Sequence, residues 1–188
     1  MEHIFNSLKD HFLIAMPSLT QGIFARSVTY LCGHNEQGAM GIVINQPLDL
    51  KLREILDHLD VEGMHSHFDQ LVMAGGPVQT ERGFVLHRTS EKQWETTVAI
   101  SADISLTTSR DILDAFARDE GPSASLVALG YAGWSAGQLE SELADNAWLT
   151  VPADSDILFD TPISQRLDAA VATLGIDLSM LAPGAGHA

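Results

Sequence analysis

Two β-rich runs joined by one polar, glycine-ended segment constrain this chain most. Phe24 to Gly33 contains Val28-Thr29-Tyr30-Leu31-Cys32, and Ala39 to Asn45 is apolar again. His34-Asn35-Glu36-Gln37-Gly38 lies between them. Runs rich in Val, Thr and Tyr read as strands, and the polar link reads as a hairpin loop. Phe12 to Met16 is a buried strand stopped by Pro17, and Gln46-Pro47 ends the strand after the hairpin.

Helical spacing then interrupts the strands. Leu52, Ile55, Leu56 and Leu59 stand at i, i+3, i+4 and i+7, with Arg53, Glu54, Asp57 and His58 turned outward. A second helix starts after Thr108 or Ser109 and presents Ile112, Leu113 and Phe116. Trp134 to Leu143 reads as a helix entered through glycines. Thr161-Pro162 opens a last helix with Leu167, Ala170, Val171 and Leu174 on its buried face, terminated by Gly175. Further strands are expected at Leu71–Ala74, Gly83–His87, Trp94–Ile100, Ser125–Gly130 and Asp156–Phe159. The Gly83 and Trp94 runs are expected to pair around the polar Arg88–Lys92 segment. Hairpin and strand–helix–strand orders together argue for a mixed sheet with packed helices in one domain.

Composition excludes several functions. The chain of 188 residues has 10 basic and 25 acidic side chains, a formal net charge of −15. From Asp119 onward the only basic residue is Arg166. Affinity for phosphate backbones comes from Lys and Arg, so a nucleic-acid groove would need Arg26, Lys51, Arg53, Arg82 and Arg88 to converge. The single cysteine, Cys32, allows no intrachain disulfide and sits in an apolar run, which fits a cytoplasmic protein. No apolar run approaches the roughly 18–20 residues that cross a bilayer, and no secretory signal is visible.

Several constellations could carry chemistry. Gly133-Trp134-Ser135-Ala136-Gly137 matches the G-x-S-x-G turn of hydrolases, between an expected strand and an expected helix. Asp160 and His187 would follow in the order serine, acid, histidine, although His187 is one residue from the C-terminus. His65-Ser66-His67 offers two imidazoles near Asp60 and Asp69, but a catalytic zinc site needs a third ligand, so a solvated pair is the reading. Gly75-Gly76-Pro77 could offer backbone N–H groups to an anion, or form a turn needing positive φ. No P-loop or dinucleotide fingerprint is present. No metal or cofactor is expected. Asn45 ends a strand, Arg82 and His87 flank another, and Gln138 and Glu142 share a helical face near Tyr131 and Trp134.

The whole pattern resembles the AlgH/YqgE family of bacterial proteins. The resemblance rests on His11-Phe12-Leu13-Ile14-Ala15-Met16-Pro17, His34-Asn35-Glu36-Gln37-Gly38-Ala39-Met40-Gly41 and Gly75-Gly76-Pro77-Val78. It continues through Arg82-Gly83-Phe84-Val85-Leu86-His87, Gly130-Tyr131-Ala132-Gly133-Trp134, Gly137-Gln138-Leu139-Glu140, Asn146-Ala147-Trp148-Leu149 and Gly186-His187-Ala188. It implies an N-terminal extension over residues 1–10 and one domain over 11–188. The implied fold is α/β, with a bifurcated, barrel-like mixed sheet flanked by helices. It also implies a cytosolic bacterial protein with a proposed role in regulating alginate synthesis, often worded as transcriptional regulation. It does not imply an enzyme. Ser135 is not a fixed serine in the family pattern, and the Arg-Trp pair of some members is Arg166-Leu167 here.

The expected function is a non-enzymatic regulatory or interaction protein that acts through a protein partner or small ligand. Its expected recognition surface is Asn45, Gly75, Gly76, Pro77, Arg82, His87, Tyr131, Trp134 and Gln138. The alternatives are a serine hydrolase using Ser135, Asp160 and His187, and a direct DNA-binding regulator. Neither direct nucleic-acid binding nor membrane association is expected.

Overall fold

The computed structural model describes residues 4–19, 22–61 and 66–181. The strands are β1 His11–Ala15, β2 Val28–Asn35, β3 Gly38–Val43, β4 Pro47–Lys51 and β5 Leu71–Ala74. They continue with β6 Val78–Arg88, β7 Val98–Ala99, β8 Ile104–Thr107, β9 Ser125–Ser135 and β10 Trp148–Pro152. The helices are α1 Leu52–His58, α2 Asp111–Ala117, α3 Gln138–Ala144, α4 Ser155–Phe159 and α5 Arg166–Ala172. The strands run β10-β1-β2-β3-β9-β6-β8-β7, with β4 and β5 attached beside β9. All pairings are antiparallel except β5 with β9. The result is a mixed α/β domain whose curled, half-barrel sheet is flanked by helices, as the family resemblance implies.

The sheet forks along β9. One edge of β9 pairs with β5 through Ala128 and Leu129, then with β3 through Ala132 to Ser135. Gly75 stands at the crotch: its N–H donates to the Leu129 carbonyl at 2.8 Å, and its carbonyl accepts from Val43 N–H at 2.9 Å. A Cβ on Gly75 would lie 2.3 Å from the Gly130 carbonyl oxygen, and one on Gly130, whose φ is +78°, would lie 2.4 Å from that of Gly76. Glycine is required because two backbones cross here at contact distance. The left-handed Gly130 also inserts an extra residue into β9. Ala128 and Tyr131, three apart, therefore face the same core.

Three apolar layers result. Phe12, Ile14, Val28, Tyr30, Ile42 and Leu86 fill the inside of the curl under α4 and α5. Leu13, Ala15, Leu31, Trp134 and Trp148 pack on the outside against Leu139 of α3. Val85 and Val127 pack against α1 and α2. Strand β1 alternates between the first two layers, so both its faces are buried and its sequence reads as a continuous apolar run. Arg166 is buried in α5 and donates to the Ile44 and Thr161 carbonyls. Burial lowers its pKa to about 10.

Some expected elements change type. Trp134 and Ser135 are strand, paired with Ala39 and Gly38, and α3 begins only at Gln138, after Gly137 with φ +76°. Cross-strand pairing overrides the helical spacing there. Asp156 to Phe159 is helix, because Asp154 caps it by accepting from Asp156 N–H at 2.8 Å. The last strand is Trp148–Pro152 instead. Gly83–His87 pairs with β8 and β9, and only Val98–Ala99 of the Trp94 run is strand, on the outer edge of β8. The strand expected to stop at Gln46-Pro47 does end before it, at Val43, and Pro47 opens a further strand, β4, that was not expected.

Candidate functional site

The β6–β8–β7 wing carries two openings, one on each face. Strand β6 is exposed from Val78 to Gly83 and buried from Phe84 to His87. Its pairing with β9 shifts between Val78 and Gly83, and Gln79 has φ +48°, so Gln79 to Arg82 bulge outward. Arg82 turns back over the Phe84 ring, 5.3 Å from its centroid, and its Nη1 donates to Gln79 Oε1 at 3.2 Å. Tyr131 meets Phe84 edge-on at 5.6 Å. Met40, Leu106, Val78 and Val98 complete an open cup of about 720 Å³, with Trp134 on its border. Val98 is 60% exposed, an apolar side chain on the sheet's edge strand. A guanidinium stacked on an aromatic ring is a usual element of recognition surfaces, and exposed apolar side chains around it add contact area.

The expected surface residues divide. Arg82, Tyr131 and Trp134 come together at this cup. The Trp134 side chain is buried, though, and its indole N–H donates to Glu142 Oε1, which also accepts from the Trp148 indole. His87 is fully buried on the other face of β6. Its Nδ1–H donates to the Arg88 carbonyl at 3.1 Å, so its Nε2 accepts from the Thr107 hydroxyl at 2.7 Å. Thr97 supports Thr107 at 2.8 Å, and the Trp94 ring packs edge-on to the imidazole. Desolvation holds the His87 pKa below the ordinary histidine value and the ring neutral. Its role is internal, and the surface reading is corrected for it.

Gly75 and Gly76 are buried at the fork, and the Gly75 N–H is already donated, so it is closed to an anion. Pro77 is exposed beside Val78. Asn45 is a clamp: its Oδ1 accepts from Val28 N–H at 2.8 Å and its Nδ2 donates to the Arg26 carbonyl at 3.0 Å. Gln138 Oε1 accepts from Ser135 N–H at 3.0 Å and from the Ser135 hydroxyl at 3.2 Å.

The hydrolase residues do not assemble. Ser135 closes β9 in regular pairing with Gly38, while the left-handed residue of the turn is Gly137. Asp160 lies at the opposite end of the sheet's central strand, accepting from Arg88 at 2.6 Å beside the His87–Ser125 pair. His187 lies outside the described residues. Glu140, in the first turn of α3, instead accepts from His34 Nε2–H at 2.7 Å, because His34 Nδ1 accepts from Leu8 N–H. Its own backbone N–H, and after it the His34 bond, hold the Glu140 carboxyl below the ordinary carboxylate value. Cys32 is buried, and desolvation pushes its thiol up, so it stays protonated.

The basic side chains of the first half do not converge. Arg88 is held by Asp156 and Asp160, Lys51 and Arg53 flank Asp69, and Arg82 lies over Phe84. His65 and the side chain of His67 lie outside the described residues. Among those described, no group of three or more His, Cys, Asp or Glu is placed to hold a metal. No helix among them is long and apolar enough to cross a membrane. Sequence reasoning missed Phe84, Met40, Leu106 and Val98. The period-2 alternation of Phe84 and Leu86 against Val85 and His87 was the available signal for Phe84.

Comparison with known proteins agrees with this architecture. The AlgH-like family model matches residues 12–179. A UPF0301 protein of Saccharophagus degradans is 56% identical over 98% of this chain and 90% of its own length. Another from Thioalkalivibrio sulfidiphilus is 58% identical over 97% and 98%. The solution structure of the AlgH protein from Pseudomonas aeruginosa superposes with a TM-score of 0.78 at 52% identity, covering both chains fully. A crystal structure of a Corynebacterium diphtheriae protein shares the fold alone, at TM-score 0.62 and 19% identity over 83% and 81%. The curled forked sheet, the matched residues and the near-full-length identity together place this chain in the AlgH-like family.

Proposed function

We propose that the protein is a non-enzymatic regulatory or interaction protein of the bacterial cytoplasm that recognises a protein partner through the Arg82–Phe84–Tyr131 cup. The observation that carries this reading is the cup itself. On a chain of net charge −15, a guanidinium over an aromatic ring stands beside apolar side chains left in solvent. Such a surface fits a partner segment that presents an acidic group next to an apolar one. Regulation of gene expression would then be indirect, since the cations that a phosphate backbone needs are scattered or already paired. The lone buried thiol supports a reducing compartment.

The test uses Arg82→Ala combined with Val98→Asp, both at exposed positions. The double variant should keep the wild-type melting temperature and lose a partner that wild type retains in a cell-lysate pull-down. Retention of every partner, and of any phenotype tied to the protein, would place recognition elsewhere. Alanine at Trp134 or His87 is a poor test, because both side chains are buried and their loss would unsettle the fold.

A further inference from the structure

The face of the sheet opposite the aromatic cup holds a second opening. Between α1 and α2 lies an apolar cleft of about 480 Å³, floored by Val85, Val127 and Leu129 and walled by Ile55, Ile112 and Leu113. That volume and a mostly apolar lining with a few polar groups at the mouth are usual for small-molecule sites. Water inside would find few hydrogen-bond partners on such walls.

The polar groups at the mouth are specific. Arg110, at the N-terminal boundary of α2, reaches across to α1 and donates from Nη2 to the Leu59 carbonyl at 2.6 Å. One guanidinium thus ties the two helices where the cleft opens. No carboxylate lies within ion-pair distance of it among the described residues. Glu54 is at the rim, but its carboxylate is engaged as the α1 cap, accepting from Lys51 N–H at 2.7 Å. Glu81 stands on the β6 bulge, and His58 and Thr108 complete the polar rim. Among the described residues, the guanidinium's positive charge thus has no carboxylate partner beside the apolar cleft. The group it lacks is an acceptor with negative charge.

We propose that this cleft binds a small amphipathic molecule, with an aliphatic chain between α1 and α2 and a carboxylate head on Arg110. The ligand is a free monomer rather than a bilayer lipid, because a chain of net charge −15 is repelled by an anionic membrane surface. The site is independent of the aromatic cup and shares only Thr108 with its lining.

The test titrates decanoate, below its aggregation threshold, into the full chain, read by calorimetry and amide chemical shifts. Decanoate is expected to bind saturably and to shift α1, α2 and β8. 1-Decanol should bind roughly tenfold more weakly, and Arg110→Gln should bring decanoate to the level of the alcohol. Leu113→Trp fills the cleft from a half-exposed helix position and should abolish both, at a melting temperature near that of wild type. Decyltrimethylammonium binding as tightly as decanoate would overturn the carboxylate head. Wild type that binds neither decanoate nor decanol, or binding that survives Leu113→Trp, would overturn the site. Association with phosphatidylglycerol vesicles in place of monomeric decanoate would overturn the free ligand.

Discussion

The two wings of the sheet are built differently on either side of the fork. In the β10–β1–β2–β3 wing both faces are covered along β1. Phe12, Leu13 and Ile14 have no exposed surface although they alternate in direction, and Trp134, Trp148 and α3 close the outside. In the β6–β8–β7 wing each face opens into a cavity, Val78 to Gly83 are exposed, and Val98 stands in solvent at the edge. One wing has spent its side chains on packing, and the other keeps apolar and charged groups unspent. Binding groups concentrate where the scaffold leaves them unpacked.

Substitutions test this contrast by their effect on stability. Trp148→Ala in the closed wing should cost about 3–5 kcal/mol, measured by denaturant unfolding, since it empties a packed layer and removes one indole donor to Glu142. A cost below about 1 kcal/mol would show that this wing is as loosely packed as its neighbour. At the fork between them, Gly130→Ala forces a side chain onto the Gly76 carbonyl in a left-handed conformation. It should cost about 1–3 kcal/mol from backbone strain alone and perturb both wings by hydrogen exchange. Perturbation confined to one wing would separate them as independent units.

A smaller effect is expected from pH. The folded pKa of His87 lies below its unfolded value, so the unfolded chain binds the proton more readily. Its contribution to stability is complete above the unfolded pKa, near 6.5, and is lost as pH falls through the folded one. Melting temperature should decline on acidification below neutrality, and His87→Gln should flatten that decline. Glu140, whose folded pKa is also lowered, loses its contribution only in the acid range below the ordinary carboxylate value. A decline that His87→Gln leaves intact would remove His87 as its source. The least effect belongs to the open wing itself: Val98→Ser and Arg82→Gln should change stability by no more than about 0.5 kcal/mol. A larger loss would mean that the cup is structural.

Local signals were readable where neighbours in sequence decide the outcome. The Val28–Asn35 and Gly38–Val43 hairpin turns at Glu36-Gln37, within its polar loop. Helix α1 buries Leu52 and Leu56 of the expected face, and Gly75-Gly76 is a structural crossing. Arg82 and Tyr131 were found as surface candidates, and they meet in one cup. Trp134, Asn45 and His87 read as equally polar or aromatic strand-end residues, yet each is absorbed by packing or by backbone clamps. Sequence does not tell a spent donor from a free one, because the partner lies 8 to 20 residues away. The cleft under α1 and α2 was invisible for a related reason. Ile55, Leu113 and Leu129 look like ordinary core residues, and only the separation of the helices leaves them around a hole.

The sequence by itself determined the hairpin, the amphipathic helix faces, the acidic surface and the family, since turn chemistry, periodicity and charge are properties of short stretches. The tertiary structure alone decided which side chains face the openings. The extra residue at Gly130 breaks the alternation of β9, so Tyr131 joins the side of Ala128 rather than that of Val127 and Leu129. That reversal depends on two backbones crossing where Gly75-Gly76 meets Gly130, more than fifty residues later in the chain, so closely that a Cβ on Gly75 would lie 2.3 Å, and one on Gly130 2.4 Å, from the opposing carbonyl oxygen.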